Sequence, residues 1–228
     1  MARVPYSNVE PGGLLARVLT STDRLFGRTS NFHRILGHLP DAYAWYLPFQ
    51  STLMRGEGRS YLTKPHIALA NLATSETNRC RYCATHNAAT ALRSGVSQEQ
   101  TEWLRENPET EPDEGPFDPV EQLIVRWARA VTTNQARRAS ALFKELEAAF
   151  SHEQIVELTV VVAARTFTNL IQEALWTDLE EPEPQADPTA PPRAKEARGP
   201  MPTAEFRSHL HAHSAMLAEH FSDGPSQD

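Results

Sequence analysis

Glu76-Thr-Asn-Arg-Cys80-Arg-Tyr-Cys83-Ala-Thr-His86-Asn87, continuing through Ala88-Ala-Thr-Ala-Leu-Arg-Ser-Gly95, is the stretch around which the rest of the chain is read. It holds both cysteines of the 228-residue chain, three positions apart, with a histidine three further on. Ala, Leu and Arg dominate after Cys83 and favour a helix. Gly95 suits the left-handed residue that ends one, and Thr77 and Asn78 are candidate N-caps. The spacing predicts Cys80 in the first turn of a helix and Cys83 one turn deeper, on nearly the same face.

A thiol near a helix N-terminus meets orphan N–H groups and the positive end of the dipole, both of which favour thiolate. Arg79 and Arg81 add positive charge, and His86 is a candidate base one turn beyond Cys83. Thiols at i and i+3 can close on each other once one is oxidised. Four other readings stand beside this redox dithiol. A buried structural pair is the simplest. A structural disulfide would close too short a loop to constrain much. A structural zinc needs four ligands and, without a second CxxC, would recruit His86 and a distant His or acid. Covalent haem attachment requires His directly after the second cysteine, where Ala84 stands.

The chain as a whole is acidic, with a net charge of −7, which argues against a nucleic-acid binder. Its acids cluster at Glu106 to Glu121 and Asp178 to Glu183, both read as solvated loops. No apolar run approaches the ~20 residues of a membrane span, and the N-terminus lacks the apolar core of a secretory signal. Two cysteines make no disulfide framework, and the expected compartment is the cytoplasm.

Hydrophobic spacing is helical throughout. It predicts helices over Leu14 to Phe26, a short one over Asn31 to Pro40, and one over Asp41 to Met54 that Pro48 kinks or interrupts. Lys64 to Ser75 follows, with Pro65 in its first turn, running into the cysteine segment. Ser97 with Gln100 caps the next, Asn107 to Pro119 is an exposed loop, and Asp118-Pro119 opens another helix. Ala139 to Phe150 and a long apolar helix capped by Ser151 complete the body. No period-2 alternation or Asn-Gly hairpin signal appears, so the fold class is all-α. The domain organisation is a helical domain over 1–180, a disordered Pro-rich linker over 181–202, a short amphipathic helix over 203–222 and a disordered tail over 223–228.

Glu76-x3-Cys80-x2-Cys83, with Tyr82 between the cysteines, His86 beyond and Gly95-Val-Ser-Gln-Glu downstream, resembles the alkylhydroperoxidase D-like, carboxymuconolactone decarboxylase superfamily. Asn31 to Pro40 resembles the lead-in segment of its peroxidase-related members, and Ala163-Ala-Arg-Thr-Phe-Thr-Asn169 to Leu175 their closing helix. The likeness spans about residues 14 to 180. It implies an all-helical fold that forms homo-oligomers, and a peroxidase whose Cys83 attacks a hydroperoxide while Cys80 resolves the sulfenic acid as a disulfide. Helix position alone would favour Cys80 as the attacking thiol. The cycle so implied needs no bound cofactor or metal and has an external dithiol reductant protein as partner, while charge and hydropathy point to neither nucleic acid nor membrane.

The chain departs from that pattern in places. The best-studied type has His four residues after the second cysteine, where Asn87 stands; His86 comes one earlier, about 60° around the helix from Cys83. Its upstream relay Glu falls near Ala68, leaving His66 and Glu76 as substitutes. The site residues expected are therefore Cys83, Cys80, His86 and Glu76. A non-enzymatic oligomerisation module and a lactone-decarboxylase-like member are the alternatives. His209 and His213 lie i, i+4 on the tail helix, but no acid or cysteine is placed to complete a metal site with them.

Overall fold

The computed structural model describes residues 1–26, 29–54, 60–180 and 203–222. Ten α-helices and no strand lie among them: α1 (Leu14–Phe26), α2 (Asn31–Leu36), α3 (Pro40–Phe49), α4 (Lys64–Thr77), α5 (Arg81–Arg93), α6 (Gln98–Glu106), α7 (Pro119–Thr132), α8 (Ser140–Ala149), α9 (His152–Leu175) and α10 (Thr203–Ser222). They fall into two compact units, Met1–Ser51 with Thr177–Asp228, and Thr52–Trp176. The fold class is all-α, as expected from the sequence.

In the second unit α4 is the central helix. Every residue from Ile67 to Ser75 is buried, so it is apolar or small on all sides, as a helix surrounded by others must be. It packs against α5, α7 and α9. Thr63 caps it by accepting from the His66 amide, and Pro65 occupies its first turn, where a missing N–H costs nothing. The reciprocal Ser97/Gln100, Asp118/Glu121 and Ser151/Gln154 boxes start α6, α7 and α9. Leu104, Ile124, Leu146, Leu158, Val161 and Val162 close the core around α4. By length and composition α9 is apolar enough to cross a membrane; here Ile155, Leu158, Val161, Val162 and Ala164 are buried within the unit.

The first unit has its own core, with Val18 and Leu19 of α1, Tyr43, Ala44 and Leu47 of α3, and Met216 and Leu217 of α10. The expected tail helix forms over Thr203–Ser222 and docks on its own chain. His213 Nε2 donates to the Ala44 carbonyl at 2.7 Å. Burial, the neighbouring His213 and Arg24 hold His209 below its usual pKa. Among the described residues no group of three or more His, Cys, Asp or Glu side chains is arranged to hold a metal ion. The linker 181–202 and the tail 223–228 lie outside the described residues.

Three local expectations are corrected. The helix drawn from Asn31 to Pro40 ends at Leu36, and Pro40 instead opens α3, where its ring is pre-set for a first turn. Pro48 does not interrupt α3: the helix runs to Phe49 and loosens into a π-turn over Gln50–Met54. Asn107 to Pro119 contains a 3₁₀ turn, Pro112–Glu114.

Candidate functional site

The cysteine pair sits where α4 hands over to α5. Thr77 still belongs to α4 and Asn78 is its C-cap, so neither serves as the expected N-cap of the cysteine helix. Arg79 then takes a left-handed conformation, φ 55°, which folds the chain back sharply. Cys80 itself is the N-cap of α5, its sulfur accepting from the Cys83 amide at 3.4 Å. A thiol stands where Ser or Asp commonly stands. Cys80 therefore precedes the helix rather than lying in its first turn, and Cys83 is the third helical residue. At the far end Gly95, φ 100°, closes α5, with the Val96 amide bonded back to the Ala91 carbonyl and the Gly95 amide to Leu92.

Both cysteines are free and buried, Cys80 at 0% and Cys83 at 2% exposure. Their proton affinities move apart. The hydrogen bond that the Cys80 thiol gives the Cys83 sulfur pushes Cys80 well above the ordinary thiol range, and burial adds to it. The same hydrogen bond lowers Cys83, outweighing its own burial, and the charge and N–H of Arg165 lower it further. Glu173 opposes the lowering of Cys83 and adds to the rise of Cys80. Helix-end electrostatics alone would favour Cys80; the pairing reverses the order, because one sulfur must donate for the other to ionise.

Arg165 is aimed by α4. Its Nε donates to Asn71 Oδ1 at 2.9 Å, and Nη1 lies 3.4 Å from Thr168 Oγ1. Asn71 is locked in turn, its Nδ2 donating to the Met54 and Ile67 carbonyls. Asn87, on the same helical face as the cysteines, donates to Ser75 Oγ at 2.8 Å. Ser75 Oγ donates in turn to the Asn71 carbonyl at 2.8 Å, with Asn169 Oδ1 3.4 Å away. The sulfurs thus sit beside a buried polar network linking α4, α5 and α9.

His86 and Glu76 flank the pair in different settings. The His86 ring stacks on Tyr82, centroids 4.4 Å apart, and its Nδ1 donates to the Tyr82 carbonyl at 2.9 Å. Half-buried Glu76 is raised above the usual carboxylate pKa by burial, with Arg105 pulling the other way. Neither residue is among the leading influences on Cys83. Arg165, Asn71, Ser75 and Asn169 were not singled out from the sequence as site residues. One signal was available for Arg165: it is the only charged residue between Glu157 and Glu173, in a long, mostly apolar helix.

Replacing Arg165 by Met removes the cation while keeping much of the stem's volume. The midpoint of the pH profile for Cys83 alkylation is expected to move up, slowing the reaction at neutral pH by about tenfold. Arg165→Lys should recover part of the rate. An unchanged profile in Arg165→Met would remove the guanidinium from the account of Cys83.

Residues 40–107 match the model of the carboxymuconolactone decarboxylase family. Among solved structures, a peroxidase-related protein with an alkylhydroperoxidase AhpD core from Ralstonia eutropha JMP134 superposes with a TM-score of 0.63. It is 20% identical, over 79% of this chain and 93% of its own. A peroxidase-related protein from Silicibacter sp. TM1040 gives 0.61 at 18% identity, over 78% and 92%. The debrominase Bmp8, solved as a Cys-to-Ala variant with 2,3,4-tribromopyrrole, gives 0.62 at 16% identity, over 92% and 96%. At these identities the likeness is one of fold. No curated protein matches the chain significantly.

Proposed function

We propose that the chain is a member of the alkylhydroperoxidase D-like, carboxymuconolactone decarboxylase superfamily, whose family model residues 40–107 match, and that it is a thiol-dependent hydroperoxide reductase. The observation that carries this is one pair of free, neighbouring sulfurs with opposite proton preferences, Cys83 lowered and Cys80 raised. In the proposed cycle Cys83 thiolate attacks one oxygen of ROOH. An S–O bond forms as the O–O bond breaks, and RO⁻ leaves as ROH after taking a proton through water from His86 or Glu76. Glu76, whose carboxyl burial moves above the usual carboxylate pKa, is the candidate donor. The Cys80 thiol then attacks the sulfenic acid sulfur, forming the disulfide and releasing water. An external dithiol reductant protein reduces that disulfide by exchange and is itself oxidised. The cycle requires no bound metal or organic cofactor and runs in the reducing cytoplasm, away from nucleic acid and membrane.

Burial of both sulfurs favours small hydroperoxides over bulky ones. A second acceptor class fits the same two-electron dithiol chemistry: a bromopyrrole, of the kind bound by the debrominase whose fold covers 92% of this chain. There two thiols and C–Br would yield C–H, HBr and the same disulfide. Mass spectrometry after one equivalent of hydroperoxide or of bromopyrrole tests both. Hydroperoxide is expected to give an intramolecular disulfide in the wild type and a sulfenic acid on Cys83 in Cys80→Ser. Two unmodified thiols after hydroperoxide would overturn the reductase reading, and disulfide formation with bromopyrrole alone would replace it by the second.

A further inference from the structure

The buried side of α10 consists of Phe206, His209, His213, Met216 and Leu217. Their spacing lays them along one side of a helix. Met216 and Leu217 join Val18 and Leu19 of α1 and Tyr43, Ala44 and Leu47 of α3 in one apolar cluster. Two of the five packing positions therefore carry imidazoles, where an aliphatic side chain would serve the cluster better. Neither ring is fully served by its surroundings. His213 Nε2 donates to the Ala44 carbonyl, and its buried Nδ1 has no hydrogen-bond partner. His209 Nε2 is likewise buried without a partner, on a residue only 9% exposed. Buried polar atoms in folded proteins are nearly always paired, so two bare nitrogens one turn apart call for an account.

The charged groups around the pair narrow what it does. Toward His209, α1 presents Arg24, and α10 itself presents His213 and Glu205. From α3, the Ala44 carbonyl meets His213, and Asp41 meets His220 farther along. Arg17 of α1 and Glu219 pair at the surface, at 2.6 Å. A divalent cation on the two imidazoles would feel the repulsion of Arg24 and find no third ligand among the described residues. A proton needs no third ligand. We propose that α10 is an acid-released latch: a proton taken up by His209 weakens its hold on α1 and α3, and the helix leaves them at mildly acidic pH. Burial first, then His213 and Arg24, disfavour the cation of the docked ring, and only Glu205 opposes them. In the released helix the ring regains its ordinary affinity, with a pKa of about 6.5. The released state thus binds more protons. Docking is at full strength above about pH 6.5 and weakens as pH falls from there toward the lowered value of the docked ring. His220 acts in the opposite sense, because its cation pairs better with Asp41; with the two side chains 37% and 64% exposed, that pair contributes little. α10 is the last helix of the chain, so it can leave without carrying another element along. Its departure uncovers the apolar sides of α1 and α3.

Hydrogen–deuterium exchange of the full chain at pH 7.5 and 5.5, with each amide referred to its intrinsic rate at that pH, tests this. The protection of α10 amides in the wild type is expected to fall by up to about tenfold at the lower pH, the limit for one histidine proton. The amides of α3 should keep theirs. In His209→Leu the α10 amides are expected to hold the same protection at both pH values. Should that chain fail to fold, His209→Gln, which keeps a neutral polar side chain, takes its place and should show the same indifference to pH. Wild-type α10 protection that does not change with pH would overturn the proposal, as would a fall of equal size in α3, which would mean that the whole unit unfolds. A pH dependence that survives in the folded variant would remove His209 from the latch and overturn it as well.

Discussion

Peroxide consumption by the Cys83→Ser variant is expected to fall to background, a loss of about 10³-fold or more against wild type with the same dithiol donor. The loss is large because a hydroxyl at this position neither ionises near neutral pH nor forms a sulfenic acid. Every feature that lowers Cys83, the Cys80 thiol first and Arg165 after burial is overcome, acts on the ionisation of a thiol and has nothing to act on in serine. Cys80→Ser should differ in kind. A serine can still cap α5, so the helix start is kept, and Cys83 can still attack once; what is lost is resolution, hence turnover beyond one equivalent. The discriminating measurement is peroxide loss over time for both variants: a single-turnover burst in Cys80→Ser and none in Cys83→Ser. The reverse pattern would exchange the roles of the two cysteines, and undiminished turnover in both would remove them from the chemistry.

Glu157→Ala is expected to destabilise the unit by about 3 kcal/mol, lowering its melting temperature by roughly 10 °C. Glu157 lies on α9 and is only 7% exposed. One carboxylate oxygen accepts from the Tyr61 and Leu62 amides, both at 2.8 Å, and the other from Ser60 Oγ at 2.6 Å. The segment entering α4 is thereby pinned to α9 by one side chain 97 positions from Ser60. Alanine leaves two backbone N–H groups with no acceptor and removes the anion from three convergent donors. Glu157→Gln keeps one oxygen but turns an NH₂ toward donors, so it should recover only part of the loss. Thermal and denaturant unfolding followed by circular dichroism measure it; a Glu157→Ala cost below about 1 kcal/mol would mean that water substitutes for the carboxylate.

Helix spans were legible wherever an amphipathic face and a cap coincided. α1 and α10 have the expected bounds, Leu14–Phe26 and Thr203–Ser222, and α9 starts after Ser151 because Ser151 and Gln154 satisfy each other's backbone. The cysteine turn was legible in composition but not in register. Thr77 and Asn78 have good N-cap chemistry, yet α4 still occupies Thr77 and is capped by Asn78, a fact set by its burial among α5, α7 and α9 rather than by local propensity. Nothing in the sequence announces that Arg79 takes a positive φ. The site was legible as a pair of thiols and no further. The cation that bears on Cys83 comes from 82 positions downstream and is aimed by Asn71, a residue with no local signal of its own. Contacts between distant segments leave no spacing to read, whereas a lone arginine in an apolar helix leaves a faint one.

The sulfur of Cys80 holds two offices at once, since it terminates α5 by accepting the Cys83 amide and it adjoins the second thiol. Any bond made to that sulfur alters the groups that begin the helix. Reduction state and fraying of the first turn of α5 are therefore linked. The energy that favours an intact turn also weighs on the redox potential of the pair, so evolution could tune that potential through helix-end stability without touching either cysteine.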